Sequence, residues 1–195
     1  MRINYKNVLN IVFFITFSFS AIGQISQLCN KYVLVIDMQK IGTKQMLESD
    51  YAQNLLDKVN LVISKADSDK VLYVEAIMAK LEISLTKLTV QFEPGLALDD
   101  RLALVGNTRI IKTKANTFTS QQLQKYIKET GASEFIIVGL MAEHCIKETA
   151  LGGINGGFSI SVIPDAIAAE SDQSKKETMQ ELQKAGVNIL SLEEL

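Results

Sequence analysis

Apolar and polar positions along the chain follow two alternating rhythms. Residues 32–38 (YVLVIDM) form a near-continuous apolar run. So do 70–76 (KVLYVEA), 108–112 (TRIIK), 134–140 (EFIIVGL), 158–164 (FSISVIP) and 187–191 (VNILS). Short β-branched runs of this kind suit strands covered on both faces. Between them the apolar spacing changes to three and four. Residues 49–66 place Leu55, Val59, Val62 and Ala66 on one helical face. Thr119-Ser120-Gln121-Gln122 reads as a capping box that opens a helix with Leu123, Tyr126 and Ile127 inward and a stop at Gly131. A further helix starts near Cys145, and another ends at Gly186. Strands alternating with helices require right-handed crossovers. The predicted fold is therefore α/β, a three-layer doubly wound arrangement around a six-stranded, mainly parallel, Rossmann-like sheet.

Two segments break the rhythm. Residues 77–107 have no clean period, and their main punctuation is the Pro94-Gly95 turn. An irregular stretch of that length inside a compact domain is expected to be a lid or binding loop. Residues 1–23 (MRINYKNVLNIVFFITFSFSAIG) start with Arg2 and Lys6, contain no acid and run apolar from Val8 to Ser20. Ala21 and Gly23 then supply small residues before Gln24. This is the pattern of a secretory signal peptide, and it predicts export to a periplasmic or extracellular location. The apolar run is shorter than the ~20 residues of a spanning helix, which makes an uncleaved anchor the lesser alternative and leaves no membrane association after cleavage. A lipoprotein at Cys29 is disfavoured by the bulky Leu28 before it. Residues 24–195 form one domain, long enough to bury roughly 70 % of its unfolded surface.

Composition narrows the chemistry. The 195 residues carry a formal charge of −2 and no basic cluster, which leaves no electrostatic footprint for nucleic acid. Two cysteines and one histidine exclude a disulfide framework and any histidine-rich or multi-cysteine metal centre.

In an open parallel sheet, ligands bind beyond the carboxyl ends of the strands where strand order reverses. The reactive residues that end strands are therefore the candidates. Asp37 ends the first, Glu75 the second and Lys112 the third, while Cys145 follows the fourth at a helix start. A carboxylate after four aliphatic residues must be paired or used, with helix capping as the plain alternative for Asp37. Lys112 competes with Lys114, and either could be a solvated lysine. Cys145 could be a small core residue, but a helix N-terminus is expected to stabilise a thiolate and lower its pKa. His144 diverges from Cys145 by about 100° on a helix, so a dyad of sequence neighbours is not expected.

VLVIDMQ, IIKTKANTF, IIVGLMAEHCIKETAL and GFSISVIPDAIAA together resemble the isochorismatase-like cysteine hydrolase superfamily, which includes nicotinamidases and carbamoyl-amide hydrolases. The resemblance spans 24–195 and implies an Asp-Lys-Cys triad at Asp37, Lys112 and Cys145. Lys112 is preferred over Lys114 because it lies six residues before Phe118. It also implies a cis peptide at Leu140–Met141 and an oxyanion hole from the backbone N–H groups of Met141 and Cys145. Glu75 and Phe118 are candidate substrate contacts, and Glu82, Asp99 and Asp100 could also reach a substrate. Metal-using nicotinamidases carry an aspartate and histidines after the second strand. Here that region reads EAIMAKLEISLTKL, so the expected enzyme is metal-free, with no cofactor. The expected function is hydrolysis of a small amide, ureide or carbamoyl C–N bond through a thioester. The alternatives are an isochorismatase-type vinyl-ether hydrolase, which would lack the cysteine nucleophile, and a non-catalytic binding or assembly protein. The expected partner is a small-molecule substrate, and the family tends to form homo-oligomers. Gly152 and Gly153, inside the nucleophile's helix, are expected to mark close packing on the sheet.

Overall fold

A computed structural model describes residue 28 and residues 30–77, 79–84, 87–92 and 97–195, with side chains absent from the description over 78–96. The predicted signal segment and Cys29 lie outside the described residues. Among those described, no helix is long and apolar enough to cross a membrane.

The chain runs β1 (Tyr32–Ile36), α1 (Ser49–Lys65), β2 (Val71–Ala76), β3 (Ala79–Ser84), β4 (Lys87–Phe92) and β5 (Arg109–Lys112). It continues with α2 (Gln121–Thr130), β6 (Glu134–Gly139), α3 (Lys147–Asn155), β7 (Ser159–Ile167), α4 (Asp172–Lys184) and β8 (Asn188–Ile189). Six strands form one parallel sheet in the order β5-β2-β1-β6-β7-β8. Alternation of side chains across the strands splits the core in two. Val33, Val35, Tyr73, Ile136 and Val138 pack under α1. Leu34, Ile36, Val74, Ile110 and Ile137 pack with residues of α2, α3 and α4 on the opposite face. The result is the expected three-layer α/β sandwich.

The chain leaves β1 toward β2 and β5, then returns to the other side of β1 to add β6. Strand order therefore reverses between β1 and β6, which places the crevice at the ends carrying Asp37 and, just past β6, Cys145. Pro164 lies in the part of β7 where the register to β6 jumps between the Ile137↔Val162 and Gly139↔Ile167 pairs. A proline is tolerated in an interior strand there, because the local ladder is already interrupted.

Two local expectations are corrected. Residues 77–107 are not wholly irregular, because β3 and β4 form a two-stranded antiparallel hairpin within them. The predicted capping box at Thr119–Gln122 does not form. Ser120 is the N-cap of α2, but its hydroxyl donates to Ile111 O at 2.7 Å, and Gln122 Oε1 accepts from Ile111 N at 2.8 Å. Both side chains tie the helix start to β5 and hence to the strand that carries Lys112. Reciprocal boxes occur instead at α4, between Ser171 and Ser174, and in the last turn, between Ser191 and Glu194.

Candidate active site

Asp37 is the first residue past β1. Its N–H still donates to Val74 O at 3.0 Å, but its φ of +54° turns the chain out of the sheet. Asp is among the few non-glycine residues that enter this left-handed region readily. Lys112 is the last residue of β5, in register with Ala76 and on the same face as buried Ile110. Its side chain reaches Asp37, with Nζ 2.7 Å from Oδ2, and the two side chains are only 1 % and 14 % exposed. Lys112 also approaches Ala115 O at 3.5 Å.

Cys145 is a free, half-buried thiol in a π-helical turn, Ala142–Ile146, that leads into α3. Met141 O accepts from both His144 N and Ile146 N, at 3.1 and 3.2 Å, and so brackets the cysteine. The thiol interacts with both Asp37 and Lys112. The three residues come from three strand ends and meet at the switch point.

The electrostatics differ from the sequence expectation in sign. Burial pushes the Cys145 thiol up and the adjacent Asp37 charge pushes it further, while Lys112 pulls it back only in part. The resting group is therefore a thiol, not the helix-stabilised thiolate expected at a helix start. Desolvation also raises the Asp37 carboxyl, against the pull of Lys112 and of the thiol hydrogen bond. Its Oδ1 is buried without a conventional hydrogen-bond partner. A carboxylate of raised pKa beside a neutral thiol is an acceptor poised for the thiol's proton.

Thr149, one turn after Cys145, belongs to the Thr-Ala pair of the IIVGLMAEHCIKETAL run, for which the sequence suggests no role. Its Oγ1 donates to Ala115 O at 3.2 Å and accepts from Thr117 N at 3.1 Å, which fastens the loop after Lys112 to the cysteine's helix. The signal was the i, i+4 spacing of Cys145 and Thr149, which puts both on one helical face. Gly153 is packed on the sheet as expected, since a Cβ there would meet Ile160 of β7 and Phe118, but Gly152 faces the loop after β5, where a Cβ would meet the Asn116 side chain. The Leu140–Met141 peptide is cis.

Four of the expected substrate contacts, Glu75, Asp99, Asp100 and Phe118, are engaged elsewhere. Phe118 is a core residue, stacked on Phe158 at 5.0 Å and edge-on to Phe135 at 5.3 Å. Glu75 shares the α1 side of β2 with Tyr73 and pairs with Arg109 at 3.7 Å, on the face opposite Val74. Asp99 is buried and gripped by Arg101 and Thr43, and the Arg101 guanidinium holds its carboxyl well below the usual range. Asp100 pairs with Lys40 at 2.7 Å on the surface. The side chain of Glu82 lies outside the described residues. His144 is exposed and lies 3.2 Å from Glu170. It lines, with Met46, Tyr51 and Met141, a neighbouring cavity of about 620 Å³ that Asp37, Lys112 and Cys145 do not line. Among the described residues, no three His, Cys, Asp or Glu side chains are placed to hold a metal ion.

The match that decides the family covers residues 31–194, which fit the isochorismatase domain model. The chain belongs to the isochorismatase-like hydrolase family. Its fold is similar to that of the pyrazinamidase of Pyrococcus horikoshii solved in complex with zinc, at a TM-score of 0.67 and 20 % identity over 83 % of this chain and 99 % of that one. It is also similar to the N-carbamoylsarcosine amidase of Thermoplasma acidophilum, at a TM-score of 0.66 and 17 % identity over 85 % and 98 % of the two chains. A probable inactive nicotinamidase of Arabidopsis thaliana is 25 % identical over 87 residues, 44 % of each chain. The aligned segment thus spans less than half of that curated relative. That pyrazinamidase was solved with zinc, whereas among the described residues of this chain no group of His, Cys, Asp and Glu side chains fits such an ion.

Proposed function

We propose that this isochorismatase-like protein is a cysteine hydrolase that cleaves a small amide, ureide or carbamoyl C–N bond. One observation carries the reading: a buried carboxylate, a buried lysine and a half-buried thiol converge at the switch point of the sheet. In the first half-reaction Cys145 Sγ passes its proton to Asp37 and attacks the substrate carbonyl. Lys112 keeps the ion pair intact while the negative charge moves from carboxylate to sulfur to oxygen. The backbone N–H groups of Met141 and Cys145 are assigned to the oxyanion, and such donors are worth roughly 3–4 kcal/mol each. Collapse of the adduct breaks the C–N bond, and Asp37 returns the proton to the departing nitrogen. In the second half, Asp37 takes a proton from water as its oxygen attacks the thioester carbonyl. Thiolate departs, recovers that proton, and the acid leaves.

The test is acyl-enzyme capture. Mass spectrometry of the full chain after incubation with a panel of small amides, ureides and carbamoyl compounds should show an adduct on Cys145, and Cys145→Ala should abolish both adduct and hydrolysis. Unchanged hydrolysis by Cys145→Ala rejects the mechanism. A thiol held up by its surroundings also favours a second reading, a non-catalytic binding protein. In that case no compound in the panel acylates Cys145, although some bind.

A further inference from the structure

We propose that Gln39 is a positioning residue whose side-chain amide sets the distance between Asp37 and Lys112. The inference rests on the triad reading above and adds the device that aligns it.

The backbone ladder between β1 and β2 ends at Asp37 N→Val74 O, because the left-handed turn at Asp37 carries the chain away from β2. No further main-chain rung to β2 follows before the chain reaches Gln39. The Gln39 carboxamide supplies one instead. Its Oε1 accepts from Ala76 N at 3.0 Å and its Nε2 donates to Ala76 O at 3.2 Å. A carboxamide carries the same donor and acceptor as a peptide group, so it can stand in for the missing strand residue.

Ala76 is the strand residue that matters here. On its other side it is in register with Lys112, and Ile77 N donates to Lys112 O at 3.1 Å. Gln39 therefore links the end of the Asp37 strand, through one residue, to the strand that carries Lys112. The side chain itself cannot drift. Gln39 is 2 % exposed, its N–H donates to Asp37 O at 2.7 Å, and its carbonyl accepts from Gly42 N at 2.9 Å and Thr43 N at 3.1 Å.

The geometry also fixes the direction of the effect. Asp37 and Cys145 lie past β1 and β6, whose ladder is complete through Ile36↔Gly139 and does not involve Gln39. Loss of the Gln39 rung leaves the β1–β2 ladder intact up to Val74 but loosens the end of β2 at Ala76, and with it the end of β5 that carries Lys112. Cys145 then keeps its carboxylate neighbour and loses part of the compensating ammonium, so its thiolate becomes harder to form. Gln39→Met should act as a weaker version of Lys112→Met.

The experiment is the pH profile of Cys145 alkylation by iodoacetamide, read on the Cys145 peptide by mass spectrometry in the folded full chain. Gln39→Met matches the length of glutamine and removes both polar atoms. Its alkylation at pH 8 should be about threefold slower than wild type, because the thiolate is harder to form. Lys112→Met should be slower still. A folded Gln39→Met whose profile overlays wild type overturns the positioning role while Lys112→Met still shifts. If Lys112→Met also overlays wild type, the triad reading itself is overturned. A second measurement needs no variant. Hydrogen exchange of the Ala76 amide in the wild-type protein should be slowed to the level of its neighbours in β2, and exchange at the rate of an exposed amide would overturn the proposal.

Discussion

Lys112 Nζ sits 2.7 Å from Asp37 Oδ2 with the lysine side chain 1 % exposed and the aspartate 14 %. Such a pair is strongly coupled, because removing one partner leaves the other charge buried and uncompensated. Lys112→Met should destabilise the fold by about 3 kcal/mol or more, and Asp37→Asn by a similar amount. The double variant should recover much of that loss, since neither charge is then stranded. Urea unfolding of the four proteins measures the coupling, and strict additivity of the two single effects would contradict it.

The pH dependence of the Lys112→Met deficit follows from the Asp37 carboxyl, which burial already raises above its ordinary value. Without Lys112 that carboxyl rises further. A raised carboxyl favours the folded state only while protonated, so its contribution is present below the unfolded value of about 3.9 and is lost as pH climbs through the folded one. The stability gap between wild type and Lys112→Met should therefore be widest near neutrality and narrow as pH falls toward about 4. A gap that widens on acidification would reverse the sign of the argument.

The thiol gives an opposed pair of outcomes. Asp37 raises Cys145 and Lys112 lowers it. Asp37→Asn should therefore make Cys145 more reactive toward iodoacetamide at pH 8 than in wild type, even as it abolishes any hydrolysis that needs a proton acceptor. Lys112→Met should make the thiol less reactive. Alkylation rates resolved on the Cys145 peptide decide this, and slower alkylation in Asp37→Asn would show that the carboxylate activates the resting thiol instead of restraining it.

The layered sheet was legible because its signal is local. The mostly β-branched run from Val33 to Ile36 fits a strand buried on both faces, and the alternation of such runs with helical spacing implies the parallel topology. The residues at the strand ends were legible for the same reason, since Asp37, Lys112 and Cys145 each interrupt or follow an apolar run. What sequence could not show was the direction of side chains relative to a distant strand. Glu75 lies next to the last residue of its strand, yet it shares the α1 face with Tyr73 and pairs with Arg109. Phe118 follows the lysine at the expected interval but fills the core against Phe158. The thiol's sign was also hidden. The helix start argues for a lower value, and only the packing brings desolvation and the Asp37 charge to outweigh it. The carboxamide of Gln39 stood in the quoted VLVIDMQ run, but its partner Ala76 is 37 positions away.

Export is tested at the first segment. Arg2, Lys6, the apolar run from Val8 to Ser20 and the small residues Ala21 and Gly23 predict cleavage before Gln24. The full chain produced in a secretion-competent bacterium should be recovered outside the cytoplasm with Gln24 as its first residue by N-terminal mass spectrometry. Intact chain held in the membrane fraction would favour the anchor, and intact soluble chain in the cytoplasm would reject the signal.

Gly139 shows how tightly the site depends on the approach of β1 and β6. It faces Ile36 in the ladder, has φ +118° and accepts from Ala168 N at 2.9 Å, while Leu140 N donates to Ile36 O at 3.1 Å. A Cβ built on Gly139 collides with the backbone carbonyl of Ile36, which has no flexible end to move aside. Any side chain must therefore push β6 from β1, and that displaces Cys145 from Asp37, since Asp37 follows β1 directly and Cys145 sits in the turn after β6. Gly131 is the internal control. It also has a positive φ, +70°, as the left-handed cap of α2, but a Cβ there meets nothing within 4 Å. Gly131→Ala should lose only the conformational term, about 1 kcal/mol, and leave Cys145 alkylation unchanged. Gly139→Ala combines that strain with a clash in the core, and should lose about 3 kcal/mol or more and alter the alkylation profile. Thermal unfolding and Cys145 alkylation of both variants separate the two contributions. Equal behaviour of the two alanines would mean that the β1–β6 approach does not set the geometry of the site.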